Sequence, residues 1–164
     1  MGVLKTLTDE YFGDSIRKED KIPIGDLDVE IVSFTDNNGI EHRHGYRVKD
    51  NGDHNEMAKT LSILIERIIE KRGLECSLND IDVSNMTQLY YKYKFVTIFN
   101  SDVNRNFNGD ISGWNVSNVK DMQNLFTITI FNGDLSKWDV QNVENMENMF
   151  RSSDFTGENG IIIV

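Results

Sequence analysis

The side chains that could perform acid–base or nucleophilic chemistry are scattered through this sequence without forming a catalytic motif. Its three histidines, His42, His44 and His54, cluster in one short region. Carboxylates are numerous, but no motif places two of them together, and no glycine-rich phosphate-binding loop precedes a helix. The sequence therefore predicts a protein without enzymatic activity, with no catalytic residue and no bound cofactor.

The spacing of two of the histidines is compatible with a metal site. A β-strand would place His42 and His44 on the same face. A zinc site needs three or four ligands, however, and neither a cysteine nor a third histidine lies close by. The turn at residues 50–53 lacks the alternating acidic ligands and the closing glutamate of a calcium loop. No metal site is predicted.

Charge and cysteine content exclude several classes of protein. The 164-residue chain carries a net charge of −10, which argues against nucleic acid as a main partner because phosphate binding needs a basic surface. The single cysteine, Cys76, excludes an internal disulfide framework and indicates a small residue packed under a repeat. No segment approaches the roughly 20 apolar residues that span a bilayer, so membrane insertion is not predicted.

The first residues give the only information about location. Residues 1–20 contain charges throughout and lack the apolar core of a secretory signal. The sequence therefore predicts a cytoplasmic or virion-associated protein, with a cell-surface location only if an export signal is missing from the sequence.

A 24-residue repeat organises the second half of the chain. Residues 107–126 and 131–150 agree at Phe, Trp, Val, Met and Asn positions, and a third copy begins at Phe155. A degenerate earlier copy occupies residues 78–93, followed by an apolar insertion at residues 94–106. Repeats of this length are typical of arrays in which each unit buries its apolar face against its neighbours. The insertion is either a contact loop or a segment folded back over the edge of the repeats.

The repeat pattern predicts a short strand followed by a tighter helical return. Trp114 and Val116 are two residues apart, which fits a strand, whereas the later apolar residues follow at steps of three. The side-chain amides of Asn118 and Asn142 fall at the predicted turns, where stacked copies would form a ladder of hydrogen bonds. In the Asn-Gly-Asp segments at residues 108–110 and 132–134, glycine and asparagine indicate turns with left-handed backbone.

These residues resemble a known family. The run FNGD-[IL]-S-x-W-[ND]-V-x-N-V-x-x-M-x-x-[LM]-F is similar to the BspA-like leucine-rich repeat of bacterial surface proteins and mycoplasma lipoproteins, over about residues 78–156. The resemblance implies a parallel β-strand solenoid used for protein–protein contact or adhesion. It carries no catalytic residue, and the family repeat is one residue longer, the difference falling in residues 127–130.

The residues before the repeats predict a capping unit. A hairpin is expected within residues 24–48, with a turn at residues 36–39, and a helix over residues 55–72 that ends at Gly73. The predicted fold class is α+β, a β-hairpin and helix capping a short parallel β solenoid. The predicted organisation is a leader or docking arm at 1–22, a capping domain at 23–74 and the repeats at 75–164.

Two surfaces are candidates for binding. On the predicted strands, the outward-facing positions form a mildly acidic strip, which is either a protein-binding face or an ordinary solvated sheet face: Asp82, Ser84, Asn115, Ser117, Asp139 and Gln141. The chain also finishes with an apolar run that caps its own repeats or joins another subunit as an assembly strand, making a homo-oligomer: Ile161, Ile162, Ile163 and Val164.

Together these features predict a non-enzymatic protein-interaction or structural module. Its expected partners are proteins, either other virion subunits or a host protein. Three settings are open: a small bacteriophage virion or assembly protein, which the sequence favours, a bacterial surface or adhesion protein of the BspA-like type, and an acidic intracellular inhibitor of a host enzyme.

Overall fold

The computed structural model describes residues 21–91 and 96–157. Three predicted features therefore lie wholly or partly outside the described residues. They are the leader at 1–22 (except residues 21 and 22), the start of the insertion at 94–95, and the C-terminal strand Ile161–Val164.

An antiparallel hairpin follows the first described residues. Strand β1 (Val29–Thr35) pairs with strand β2 (Glu41–Val48), and the register shifts between Val32 and Phe34. The connecting turn closes because the Asp36 carboxylate accepts hydrogen bonds from the backbone N–H groups two and four residues further on. The predicted hairpin and its turn are confirmed.

A helix of 19 residues, α1 (His54–Arg72), comes next. Its apolar residues recur at helical spacing and form the buried stripe. The Asp53 carboxylate accepts the backbone N–H groups of Asn55 and Glu56 at the start, and Gly73, at φ 96°, ends the helix. The predicted helix is confirmed, with its N-terminus one residue earlier.

The described part of the insertion folds into the core. Strands β3 (Tyr90–Tyr91) and β4 (Val96–Thr97) form a short antiparallel pair, and Asn104–Asn106 is a 3₁₀ helix. The ring of Phe99 is 1% exposed and stacks 5.4–5.6 Å from three rings of the repeats, those of Phe107, Trp114 and Phe126. Of the two alternatives for this segment, the described residues support the one that folds back.

The predicted parallel β solenoid is wrong, although the chain is α+β. Both sheets among the described residues are antiparallel pairs, and successive repeats share only isolated parallel bridges, such as Asp121 with Asn145. The expected strands do not form because the chain curls within each repeat. Trp114 donates its backbone N–H to Ile111, and Val119 donates its own to Val116, so these groups are used locally rather than in a ladder.

Side chains hold the repeats together where sheet hydrogen bonds do not. The rings of Trp114 and Trp138 lie 6.3 Å apart at 3°, and those of Phe107 and Phe131 lie 6.1 Å apart at 8°. Each indole N–H also donates to a carbonyl of the preceding repeat, Trp114 to Leu78 and Trp138 to Ile111. The two tryptophans therefore bury apolar area and satisfy their indole N–H groups in the same contact.

The predicted asparagine ladder is confirmed. The side-chain amides of Asn118 and Asn142 donate to backbone carbonyls of the preceding repeat at 2.7 Å. Asn85 makes the corresponding bond at 2.8 Å to Val48 in β2. Strand β2 therefore occupies the place of a preceding repeat, and a parallel bridge between Tyr46 and Ile81 joins them.

One segment of the repeat donates its backbone amides in a single direction. Met122, Asn124 and Phe126 each donate to a carbonyl of the following repeat at 2.8–3.0 Å. Asn124 and its equivalent Asn148 lie at φ 59° and 57°, in the left-handed region. In each repeat the left-handed asparagine lies at the middle of this segment.

The glycines of the repeat serve a different purpose from the predicted one. Neither Gly109 nor Gly133 has a positive φ. A Cβ at Gly109 would overlap the carbonyl oxygen of Cys76, and one at Gly133 would lie 2.7 Å from the ring of Phe131. Glycine is required at these positions by close packing rather than by left-handed backbone.

Candidate protein-binding groove

The hairpin turn, residues 36–40, docks along the repeats at one repeated backbone position. Asp80, Gly113 and Lys137 occupy the same place in three successive repeats. The backbone N–H of Tyr46 donates to Asp80 at 2.8 Å, and that of Asn37 donates to Gly113 at 2.7 Å. The Asn37 side-chain amide also donates to the Lys137 carbonyl, so the hairpin contacts all three repeats.

A groove remains between the hairpin and the repeats, and we call it the hairpin–repeat groove. Its volume is about 170 Å³. Its walls are formed by residues of β1 and the hairpin turn on one side and by two repeats on the other: Phe34, Thr35, Asp36, Ile81, Asp82, Val83, Ser84, Gly113 and Asn115. Gly113 allows the hairpin turn to approach the repeats closely at the edge of the groove, since a Cβ there would lie 2.9 Å from both Asn79 and Asp36.

The Asp36 carboxylate lies on the hairpin side of the groove. One of its oxygens lies 2.7 Å from Nε2 of His42, and the other accepts the N–H groups of Asn38 and Ile40. Burial raises the pKa of Asp36, but the hydrogen bonds from His42, Ile40 and Asn38 outweigh it and place the pKa below its ordinary value. Asp36 therefore stays ionised throughout the neutral range.

Asp82 lies on the repeat side and belongs to a shared ion pair. The Arg47 guanidinium lies 2.9 Å from a carboxylate oxygen of Glu30 and 3.5 Å from one of Asp82. One cation therefore faces two carboxylates, which leaves a surplus of negative charge beside the groove. Asp82 is 8% exposed, so little solvent screens it.

The structure divides the six residues predicted for the acidic strip. Asp82, Ser84 and Asn115 line the groove, whereas Ser117, Asp139 and Gln141 lie beyond it. Each repeat contributes one residue of the strip whose side chain closes a local turn. Asp82, Asn115 and Asp139 each accept the backbone N–H of the residue two positions further on, at 3.0–3.1 Å. These side chains therefore shape the backbone as well as the surface.

Six of the nine residues that line the groove are not among those predicted from the sequence to bind. Phe34, Thr35 and Asp36 belong to the hairpin, which was interpreted only as part of a cap. One signal was available in the repeat itself, because Gly113 stands where the next copy has Lys137. A glycine that replaces a long side chain in one copy indicates a close approach by another segment.

Two of the histidines and the cysteine have structural contacts. The ring of His42 stacks on Phe34 at 5.1 Å, and His54 lies 3.0 Å from the Thr87 hydroxyl. Burial raises the pKa of the Cys76 thiol, which packs against the core. Within residues 21–91 and 96–157, no group of three or more His, Cys, Asp or Glu side chains could hold a metal ion.

The same ranges contain no helix with the length and apolar character needed to cross a membrane. Helix α1 is charged along its exposed face.

Comparison with known proteins gives one match. Residues 102–160 are similar to a protein family described as "Mycoplasma protein of unknown function, DUF285". The match covers the two clear repeats and the start of the third, and it begins after the degenerate repeat at residues 78–93. No curated protein and no solved structure matches the chain. The similarity is therefore to a family of unknown function, over less than half of the chain.

Proposed function

We propose that this chain is a non-enzymatic protein-interaction module whose hairpin–repeat groove receives a basic side chain of a partner protein. The observation that carries the proposal is the placement of Asp36 and Asp82 on opposite sides of one groove. Both carboxylates are shielded from solvent, and the Arg47 guanidinium that pairs with Asp82 is shared with Glu30.

The size of the groove supports a single side chain as its ligand. Small-molecule sites usually enclose about 300–1,000 Å³, whereas this groove measures about 170 Å³. The Phe34 ring offers an apolar surface for the methylenes of lysine or arginine, whose charged group would lie between the carboxylates. The chain's net charge of −10 favours approach by a basic partner.

The family match leaves the setting of the module open. The match of residues 102–160 is to a Mycoplasma family of unknown function and assigns no role. The bacterial surface or adhesion setting rests on the BspA-like repeat resemblance and stays a prediction. No comparison bears on the bacteriophage virion setting or the enzyme-inhibitor setting, which stay predictions.

The groove is tested by following backbone amide chemical shifts while the ligand mimic N-acetyl-arginine amide is added. We expect shifts confined to groove residues, including Thr35, Asp82 and Gly113. N-acetyl-glutamate amide is the matched anionic control and should leave the same amides unchanged. Equal shifts with both compounds, or shifts elsewhere on the surface, would show that the groove does not select a cation.

Thr35→Arg provides a second test, because Thr35 is exposed at the rim of the groove. Its guanidinium should occupy the groove and abolish the shifts caused by N-acetyl-arginine amide. Thr35→Val keeps the strand preference without the charge and should preserve them. Charge reversal at Asp82 is unsuitable, because its carboxylate also closes the turn through the N–H of Ser84.

A further inference from the structure

The segment that links the two clear repeats carries two exposed isoleucines. Ile128 is 62% exposed and Ile130 is 44% exposed, on either side of the buried Thr129. The backbone N–H of Ile128 donates to the carbonyl of Arg151 at 3.0 Å, and that of Ile130 donates to Arg105 at 3.1 Å. Backbone bonds to two other segments therefore fix this segment while both apolar side chains stay exposed. We call Ile128 and Ile130 the isoleucine patch.

The following repeat has polar residues at both positions of the patch. The 24-residue offset aligns Ile128 with Ser152 and Ile130 with Asp154, and both polar residues are exposed. The backbone is alike in the two copies, with φ 59° at Ile128 and 55° at Ser152. The N–H of Asp154 donates to a segment one unit earlier at 3.1 Å, which is the bond that Ile130 also makes. The repeat itself therefore requires no apolar residue at either position.

At Ile128 the apolar residue is also unfavourable for the fold. A left-handed φ is a genuine outlier for a β-branched residue, and a side chain that stays in water gains nothing from burial. Backbone outliers that the fold does not need are concentrated at binding surfaces. The isoleucine at this position is therefore better explained by a contact outside the folded chain than by its own packing.

Charges of both signs lie around the isoleucine patch. Arg105 and Arg151, whose carbonyls accept the N–H groups of the patch, are exposed. The backbone N–H of the exposed Asp154 donates to Thr129, between the two isoleucines, and the Asp102 carboxylate lies 3.2 Å from Arg105. An exposed ion pair such as the last contributes little stability, so its members can pair elsewhere at little cost. The patch thus has two arginines and two aspartates at its rim.

We propose that the isoleucine patch binds the same patch of a second copy of this chain in a symmetric dimer. A two-fold contact brings one surface against itself, so a rim with both charges can place arginines of one copy against aspartates of the other. An anionic lipid surface fits less well, because the rim carries two carboxylates and the chain a net charge of −10.

The size of the patch predicts a weak dimer. Interfaces that bury less than about 1,200 Å² are typical of transient complexes, and two isoleucines with four charged neighbours form a contact of that kind. The dimer should therefore dissociate on dilution. No residue of the patch or its rim lines the hairpin–repeat groove, so each copy in the dimer keeps its own groove.

The structure provides matched variants for the test. Ile128→Ser with Ile130→Ser removes the patch without adding charge, and the polar residues at the same positions of the next repeat indicate that the fold tolerates the change. Ile31→Ser with Ile40→Ser is the control, because these hairpin isoleucines are 51% and 57% exposed. Urea unfolding of both variants verifies that each one is folded.

Sedimentation equilibrium then follows the mass from micromolar to millimolar concentration. Physiological ionic strength is used, because it screens the repulsion between two chains of net charge −10. We expect the parent chain and the hairpin control to pass from monomer to dimer, and the patch variant to stay monomeric throughout. A parent chain that is monomeric over the whole range would overturn the proposal. A patch variant that dimerises like the parent would also overturn it, because the contact would then lie elsewhere.

Discussion

The side-chain amide of Asn37 donates a 2.7 Å hydrogen bond to the backbone carbonyl of Lys137, one hundred residues further along the chain. The neighbouring backbone N–H of Asn37 binds Gly113 in the preceding repeat. A single residue of the hairpin turn thus donates hydrogen bonds to the same backbone position in two repeats. The groove depends on this contact, because it holds the hairpin side of the groove against the repeat side.

Asn37→Asp should therefore weaken the docking of the hairpin. The substitution keeps the shape but replaces the donor by a carboxylate oxygen facing a carbonyl. We expect a loss of about 1 kcal/mol in the free energy of unfolding, measured by urea denaturation. Asn51→Asp is the matched control, because the Asn51 side chain acts as an acceptor for Asp53 N–H and an aspartate can still accept. Equal losses would mean that the Asn37 contact adds no stability.

Gly109→Ala should disrupt the packing of the first clear repeat on the degenerate one. The new methyl group would overlap the carbonyl oxygen of Cys76, and a backbone atom cannot rotate away. We expect at least the roughly 1–3 kcal/mol typical of overpacked cores, seen as a lower midpoint in thermal or urea unfolding. Gly25→Ala, where no atom lies within 4 Å of the added Cβ, should be nearly neutral. A stable Gly109→Ala variant would contradict the close approach.

Ile128→Asn should stabilise the protein. Ile128 lies at φ 59° with 62% of its surface exposed. Its left-handed conformation is therefore unfavourable, and burial of the side chain does not offset the cost. That conformation costs an L-residue about 1–2 kcal/mol, and asparagine tolerates it better. We expect a gain of about 1 kcal/mol in the free energy of unfolding. Ile130→Asn changes a neighbouring isoleucine, 44% exposed and without positive φ, and should give no such gain.

Asp36 should make the free energy of unfolding depend on pH in the acidic range. Burial raises its pKa, but the bonds from His42 and the two backbone N–H groups prevail, so the folded pKa lies below the ordinary 3.8. The stabilisation is then complete above the ordinary pKa and is lost as pH falls through the lower folded value. Unfolding free energies measured from pH 5 downward should fall less steeply in Asp36→Asn. An Asp36→Asn variant with the same slope as the parent protein would contradict this prediction.

The sequence predicted features that depend on local chemistry or on the repeat register. Gly73 ends the helix because glycine adopts the backbone conformation needed there without strain, and this does not depend on distant residues. The amide ladder of Asn118 and Asn142 followed from the repeat alone, because equivalent side chains in stacked copies meet equivalent carbonyls.

The absence of the expected parallel strands and the presence of the groove could not be predicted from local chemistry or from the repeat register. Alternation at Trp114 and Val116 fits a strand, but the turn closed by the Asn115 side chain curls the chain there and prevents a parallel sheet. The groove combines β1 with repeats that follow some 50–80 residues later. No periodicity within either segment specifies their contact.

The backbone amides of Met122, Asn124 and Phe126 donate to the following repeat, whereas the Asn118 side chain donates to the preceding one, so the two sides of a unit carry different sets of donors and acceptors. A whole extra copy of 24 residues, inserted between two existing ones, would present the matching set to each neighbour. The hairpin and α1 would keep their contacts with the first repeats. Growth or shortening by complete units is therefore compatible with this architecture, whereas a change of a few residues would bring donors against the wrong carbonyls. The unit on which variation in length can act is the repeat.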